Sequence, residues 1–282
     1  MSNNVNNVPR SKCTGCSACL NMCPVDAISM QPDCEGFIMP VVDESKCVNC
    51  GKCLNQCPAM NDKYKNNEKP ELYAAMADNE VRAVSSSGGM FSLAASIIFE
   101  QGGYVCGAAF DDNFVLAHRL IDSEDEMPAL RRSKYLQSNI NTVYRDIKKI
   151  LNDNKPVLFA GTPCQVAGLR AYLNKDYDNL YTMDILCHGV PSQQMFSKYL
   201  EYIAGKNATD KNKLPKPVSI NFRDKEHFGW TSAAIRIEFD NGRVYEGTLK
   251  DKDPYEFVFL RNVGLRKSCE NCPFSAFPRP GD

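Results

Sequence analysis

Net charge is nearly absent from this sequence: 33 basic and 34 acidic residues leave a formal charge of -1. That balance argues against nucleic acid or an anionic membrane held by bulk electrostatics. The opening MSNNVNNVPR carries no apolar signal segment. No later stretch approaches the roughly 18 apolar residues of a membrane span. The expectation is a soluble, cytoplasmic protein with no membrane span. Tryptophan occurs once, at Trp230, where stacking and core packing are equally open. Histidine occurs three times. His118 reads as a sheet or surface residue and His188 as a turn residue, so no side chain presents itself as a general acid and the catalytic residues stay unassigned. With 282 residues the chain can bury a sizeable core, in roughly two domains plus a small cysteine-rich unit.

What is abundant is cysteine, 14 residues in all. Secreted disulfide frameworks are mostly short chains, and without a signal segment a reducing compartment and metal ligation explain the thiols better. Eight fall in two copies of one pattern, CTGCSACLNMCP (Cys13 to Pro24) and CVNCGKCLNQCP (Cys47 to Pro58). Both have the spacing two, two, three and end in Cys-Pro. This is the ligand run of a bacterial two-cluster ferredoxin, in which the fourth cysteine of each run reaches the other cluster. On that rule Cys13, Cys16, Cys19 and Cys57 hold one 4Fe-4S cluster, and Cys47, Cys50, Cys53 and Cys23 the second. Gly15 and Gly51 suit the tight turns required. Structural zinc prefers two well-separated cysteine pairs and fits the spacing poorly.

Residues 1–8 read as a disordered lead, 9–60 as the ferredoxin unit with a hairpin between its two runs, and 61–70 as a polar linker. Cys34, near the hairpin tip, reads as a free loop thiol. The remainder divides into 71–152 and 153–282. LYAAMADN has the look of a first strand. Ser85, Ser86, Ser87, Gly88 and Gly89 precede an apolar helix ending at Gly102 and Gly103, either an ordinary serine cap or an anion site at a helix N-terminus. A strand holding Cys106, which reads as core, turns at Asp111 into a return strand. A basic aromatic island (Arg131, Arg132, Lys134, Tyr135) and a helix from about Asn141 to Asn152 follow. Two strand-loop-helix units then bring Cys164 and Cys187 to equivalent sheet edges, where ligands collect in open α/β sheets. Asp240-Asn241-Gly242 marks a hairpin turn, and PYEFVFLRNVGLR reads as helix. Cys269 and Cys272 come after it. With Cys164 and Cys187 they make four thiolates, the number one 4Fe-4S cluster takes. Zinc takes the same four, and unligated thiols also remain open.

The phrases SSSGGMFS, RRSKYLQS, VLFAGTPCQVAGLRAYL, LYTMDILCHGVPS, INFRDKEHFGW and LRKSCENCPFSAFPRPGD, in this order behind a two-cluster ferredoxin, resemble the coenzyme F420 hydrogenase/dehydrogenase beta subunit family. The resemblance runs from Cys13 to Asp282. It implies an α+β ferredoxin-like domain with two 4Fe-4S clusters, followed by an α/β flavin-binding core. It further implies an iron-sulfur flavoprotein oxidoreductase passing electrons through FAD to a two-electron acceptor such as coenzyme F420 or another soluble small molecule. A redox partner such as ferredoxin or another complex subunit goes with it, in an anaerobic setting. Cys164, Cys187, Cys269 and Cys272 match the cysteines of the family's core cluster. Ser86, Ser87, Gly88 and Gly89, with Lys134, Tyr135, Gln137 and Ser138, match its stretches near the flavin. The family pattern continues beyond the point where this chain stops, so a shortened chain is expected. The competing expectation is a non-catalytic adapter that wires a partner enzyme to ferredoxin.

Overall fold

The computed structural model describes residues 2–66, 69–210, 213–230, 234–248 and 253–281; Asp282, the last residue of the resemblance, lies outside them. The ferredoxin unit is built as its spacing predicts. Helix α1 (Ala18–Met22) lies within the first cysteine run and strand β1 (Ile28–Pro32) follows it; strand β2 (Ile38–Val42) precedes the second run and helix α2 (Lys52–Asn55) lies within it. Strands β1 and β2 pair antiparallel, Ile28 opposite Val42. Left-handed backbone at Gly15 (φ 67°) and Gly51 (φ 75°) turns each run back on itself, a conformation glycine adopts at no steric cost. Cys34 is exposed.

The lead is packed rather than disordered, a correction to the sequence reading. Val5 and Val8 are buried against the cysteine runs, and Val5–Asn7 form a 3-10 turn capped by the Asn4 side chain. Asn4 Nδ2 donates to Glu44 and, at 3.6 Å, to Cys47 Sγ. Two valines spaced to cover one apolar opening are enough to hold a short polar segment in place.

The core continues through helices α3 (Asn79–Ala83) and α4 (Met90–Glu100), strands β3 (Tyr104–Phe110) and β4 (Leu116–Ile121), and helices α5 (Met127–Leu130) and α6 (Val143–Asn152). Then come β5 (Val157–Gly161), α7 (Pro163–Leu173), β6 (Leu180–Asp184), α8 (Gln193–Asn207), β7 (Pro217–Asn221), α9 (Lys225–Phe228), β8 (Ala234–Phe239), β9 (Val244–Thr248) and α10 (Pro254–Phe259). One sheet has the order β4-β3-β5-β6, with β3, β5 and β6 parallel and β4 antiparallel; β7-β8-β9 form a second, antiparallel sheet. The segment LYAAMADN is not a strand. Leu72 and Tyr73 are exposed at 87% and 82%, so the apolar alternation serves no sheet face there. Cys106 is fully buried in β3, and burial pushes its thiol up.

Helix α6 buries Val143, Tyr144, Ile147 and Leu151 against Val157 and Phe159 of β5. These positions form one stripe at helical spacing, each side chain worth about 1.5–3 kcal/mol on burial. Helix α7 opens with Pro163 at its first turn and a capping box between Thr162 and Gln165. Its inner face carries Ala167, Gly168 and Ala171, small residues that let α1 of the ferredoxin unit approach closely.

The two units are locked by polar contacts from several elements. Arg145 of α6 donates to the carbonyls of Leu20 and Asn21 at the end of α1, both at 3.0 Å. Ser192, the cap of α8, donates to Glu35 O at the hairpin tip (2.7 Å). Gln137 Nε2 donates to Thr14 O (2.9 Å).

His118 anchors a buried chain across the sheet. Its Nε2 donates to Ala160 O (3.1 Å), so in the neutral ring Nδ1 accepts from Ser138 Oγ (2.9 Å). Ser138 Oγ in turn accepts from Gln165 Nε2 (3.0 Å). Burial pulls the imidazole down to about 4 from its usual 6.5. The unfolded chain therefore binds the extra proton, so stability is full above pH 6.5 and falls as pH drops toward 4. Between pH 7 and pH 5 His118 alone costs roughly 2 kcal/mol. It is opposed by Glu256, whose carboxyl is raised by burial to about 7 so that it gains stability over the same range. The stability of wild type relative to His118→Gln, read from urea midpoints, should therefore fall by that amount, and an unchanged difference would remove His118 as its source.

Candidate functional site

Three cavities are lined by cysteines. Cys13, Cys16, Cys19 and Cys57 surround the first, together with Val5, Val8 and Thr14. Cys23, Cys47, Cys50 and Cys53 surround the second, together with Asn3 and Asn4. Cys53 borders both. Cys57 lies near Cys16 and Cys13, and Cys53 near Cys50 and Cys23, while Cys19 is near Cys57 and Cys53 alike. Burial pushes the Cys16 thiol up to about 11 and that of Cys57 up to about 12. Without iron these thiols stay neutral, so loading a metal must release protons.

The third cavity, about 130 Å³, is lined by Cys164, Cys187, Cys269 and Cys272, with Thr14, Thr162, His188, Arg266, Phe274 and Arg279 among its walls. Cys164 lies in the first turn of α7 and Cys187 in the loop after β6. The parallel register of β5 and β6, Gly161 opposite Asp184, brings those two edges together. Arg279 clamps the closing segment by bonding Asp184 Oδ1 (2.9 Å) and Ile185 O (2.6 Å). That buried ion pair carries the chain past Cys269 and Cys272 onto the rim. Thr162 Oγ1 stands 3.2 Å from Cys164 Sγ and 2.9 Å from Gln165 Oε1. Thr14 borders the first and third cavities alike, so the three form a connected row.

Among the described residues, no three His, Cys, Asp or Glu side chains converge as a single metal ion requires. Four cysteine thiols lining one cavity supply the soft donor set that a 4Fe-4S cube takes.

The serine-glycine loop lies away from these cavities but is reached from the third by two ring contacts. His188 packs on Phe259 (centroids 4.9 Å apart), and Phe259 stacks on Tyr135 (5.1 Å). Ser86 Oγ accepts from Ser133 N–H (2.7 Å), tying the loop to the segment bearing Lys134 and Tyr135. Gly89 caps α4 at φ 85°, where an added Cβ would meet Ala77 at 2.9 Å. Ser87 is exposed and Gly88 half-buried beside it. Lys134 Nζ is turned inward, where the carbonyls of Ala108, Ala129, Leu130 and Arg131 stand at 2.7–3.0 Å as acceptors for its three N–H groups. Burial and neighbouring Arg132 pull its ammonium down to about 7. Gln137 and Ser138 point away from the loop. Their side chains are buried in the contacts with Thr14, Arg266, His118 and Gln165.

Of the cations that gather at the loop, sequence reasoning named only Arg132, in the basic island. Lys225 Nζ lies 3.4 Å from Ser87 O and 3.5 Å above the Trp230 ring, whose other contact is Arg82 at 4.7 Å. Arg223, Arg82 and Arg132 are close enough, with burial, to pull the Lys225 ammonium down to about 8. Among the described residues none of these four cations has a carboxylate ion-pair partner. The signal was present in INFRDKEHFGW, two cations shortly before the only tryptophan.

Cysteine quartets on a ferredoxin unit joined to a mixed α/β core define an iron-sulfur electron-transfer protein. Residues 12–61 and 39–85 match two 4Fe-4S dicluster domain families, and residues 154–282 match the C terminus of the coenzyme F420 hydrogenase/dehydrogenase beta subunit. Over that matched region the chain is similar to the C-terminal part of the beta subunit, with a 4Fe-4S dicluster domain ahead of it. No curated protein matches it. Among solved structures it is similar to a chain of the xenon-derivatised F420-reducing [NiFe] hydrogenase complex from Methanosarcina barkeri, at 16% identity and a TM-score of 0.44. That alignment covers 67% of this chain and 63% of the other.

Proposed function

We propose that this chain is an iron-sulfur flavoprotein oxidoreductase that passes electrons between three 4Fe-4S clusters and, through FAD, a two-electron acceptor such as coenzyme F420 or another soluble molecule. The observation that carries the reading is the row of three cysteine-lined cavities joined by Cys53 and Thr14. Bound there, the clusters would supply one-electron relay and the flavin the exchange between one and two electrons. Cys13, Cys16, Cys19 and Cys57 would hold the first cluster. Cys23, Cys47, Cys50 and Cys53 would hold the second, and Cys164, Cys187, Cys269 and Cys272 the third. Cys50 is exposed, so the second quartet is the edge open to a redox partner protein, whether ferredoxin or a subunit of a larger complex.

For the flavin the supporting observation is the cation group of Arg82, Arg132, Arg223 and Lys225 around Ser86, Ser87 and Gly88. Four positive charges with no carboxylate ion-paired to them among the described residues, Glu256 acting on Arg223 only from farther off, favour a polyanion, and the diphosphate of FAD has the charge and the reach. Lys134 and Tyr135 contribute by position, Lys134 by fastening β3 to the end of α5 and Tyr135 by presenting its ring beside Phe259.

Anaerobic reconstitution followed by metal and flavin analysis tests this reading. It expects about twelve irons and one FAD per chain. Iron near twelve without flavin turns the reading into that of an electron-transfer adapter, and zinc without iron sinks both. The double variant Arg82→Ala/Lys225→Ala should weaken FAD binding at least tenfold, and the loss should shrink as salt rises. Unchanged FAD affinity would remove the cation group from the flavin site.

A further inference from the structure

The proposed clusters leave one feature unexplained. Arg266 is 3% exposed, and among the described residues it has no carboxylate ion-pair partner. Its guanidinium donates only to neutral acceptors: Gln137 Oε1 at 2.9 Å, Ile38 O at 2.8 Å, Cys13 O at 3.2 Å and Met39 Sδ at 3.2 Å. The Phe37 ring lies 5.1 Å away. Asp33 acts only from farther off and is itself engaged by Arg10 at 2.8 Å. A buried charge without a counter-charge costs several kcal/mol. A fold that needed only an interdomain peg could have used a neutral amide.

The position of the guanidinium identifies the missing anion. It lines the third cavity, and its terminal nitrogen would lie 2.7 Å from a Cβ added at Gly15 in the first cysteine run. The cysteines near enough to act on its charge once ionised on iron are Cys13, Cys164 and Cys269, one from the first quartet and two from the third. It lines neither wall of the second cavity. A cube ligated by four thiolates is a net anion, and it becomes more negative by one unit when it accepts an electron. No bond forms or breaks in that event, and the guanidinium keeps its protons.

We infer that Arg266 is a shared electrostatic counterweight for the first and third clusters, raising their reduction potentials above that of the second and so biasing electrons inward along the row. This rests on the cluster assignment proposed above. Cluster potentials respond to nearby charge, hydrogen bonds and exposure, and a fixed cation placed against two of three sites acts unequally on them. Arg266 is a positioning residue for charge, not a ligand.

The test compares wild-type, Arg266→Gln, Arg266→Lys and Gln137→Glu proteins, anaerobically reconstituted. Each is titrated with dithionite under EPR detection, and Cys50→Ser and Cys272→Ser backgrounds distinguish the signals. Gln137→Glu keeps the side-chain shape and sets a carboxylate on the guanidinium, so it reads the same charge if Arg266→Gln folds poorly. Both neutralising variants should lower the reduced-to-oxidised ratio of the first and third clusters about tenfold at fixed potential, equivalent to about 59 mV for one electron. The second cluster should not move, and Arg266→Lys should stay near wild type. Unchanged potentials in both neutralising variants at full iron content, or an equal shift of all three clusters, would overturn the inference. Wild-type iron near eight would instead defeat the third cluster, while a shift of the first cluster still reports on Arg266.

Discussion

Cys272→Ser protein, reconstituted without oxygen, should hold about eight irons where the unaltered chain holds about twelve. Cys272 borders the third cavity alone, and none of the eight ferredoxin thiols lines that cavity. A serine hydroxyl is a poor substitute for a soft thiolate at iron, and a quartet reduced to three leaves one corner of the cube to solvent. Electron transfer from reduced ferredoxin to any added acceptor should fall to background, because the inward end of the row is lost while its entry remains. Cys34→Ser is the matched control: an exposed hairpin thiol outside every quartet, whose loss should cost no iron. Iron counting with low-temperature EPR reads both. If Cys272→Ser retains about twelve irons, or if Cys34→Ser loses as many, the third quartet is not a ligand set.

Gly168→Leu should loosen the ferredoxin unit from the core without emptying it of iron. A Cβ at Gly168 already stands 3.0 Å from Cys16 Cβ, 3.0 Å from the Tyr144 hydroxyl and 3.2 Å from Cys16 O. One of those neighbours is backbone, and the tyrosine is fastened by its bond to Gln165 O (2.7 Å), so little can yield. Ala18 on α1 and Ala167 and Ala171 on α7 are all buried in the same seam. A leucine there costs about 1–3 kcal/mol by overpacking alone, and separation of the helices also forfeits the burial of that seam. The expected results are a lower melting temperature and faster proteolysis within residues 61–70, with the eight ferredoxin cysteines still loaded. Gly168→Ala should show a smaller form of the same effect. A Gly168→Leu protein that melts and resists protease like wild type would show that the α1-α7 seam does not hold the units together.

The legible parts of this protein share one property: the residues that act together are close in the chain or governed by a local rule. The two cysteine runs, the turns at Gly15 and Gly51, the strand-loop-helix placement of Cys164 and Cys187 and the hairpin at Asp240 to Gly242 all belong here. Misreadings arose where a local pattern was overridden by what packs against it. The asparagine-rich lead looked disordered because its composition is polar, yet Val5 and Val8 cover the first cavity. LYAAMADN alternates like a strand, but no sheet edge receives it. Gln137 and Ser138 were grouped with Lys134 and Tyr135 by the resemblance of RRSKYLQS, and their side chains turn inward to Thr14, Arg266 and His118. The cations Arg82, Arg132, Arg223 and Lys225 are up to 143 residues apart and could not be associated by spacing.

The sequence by itself therefore determined that the chain carries a two-cluster ferredoxin unit and four further cysteines, because thiolate spacing within a turn is dictated by the body it must surround. Only the tertiary structure decided that those four face one cavity, that Thr14 and Cys53 join three cavities into a row, and that a lone guanidinium stands between two of them. Such relations depend on the parallel register of β5 and β6 and on the small-residue seam between α1 and α7. They are products of packing between distant segments, which no local pattern encodes.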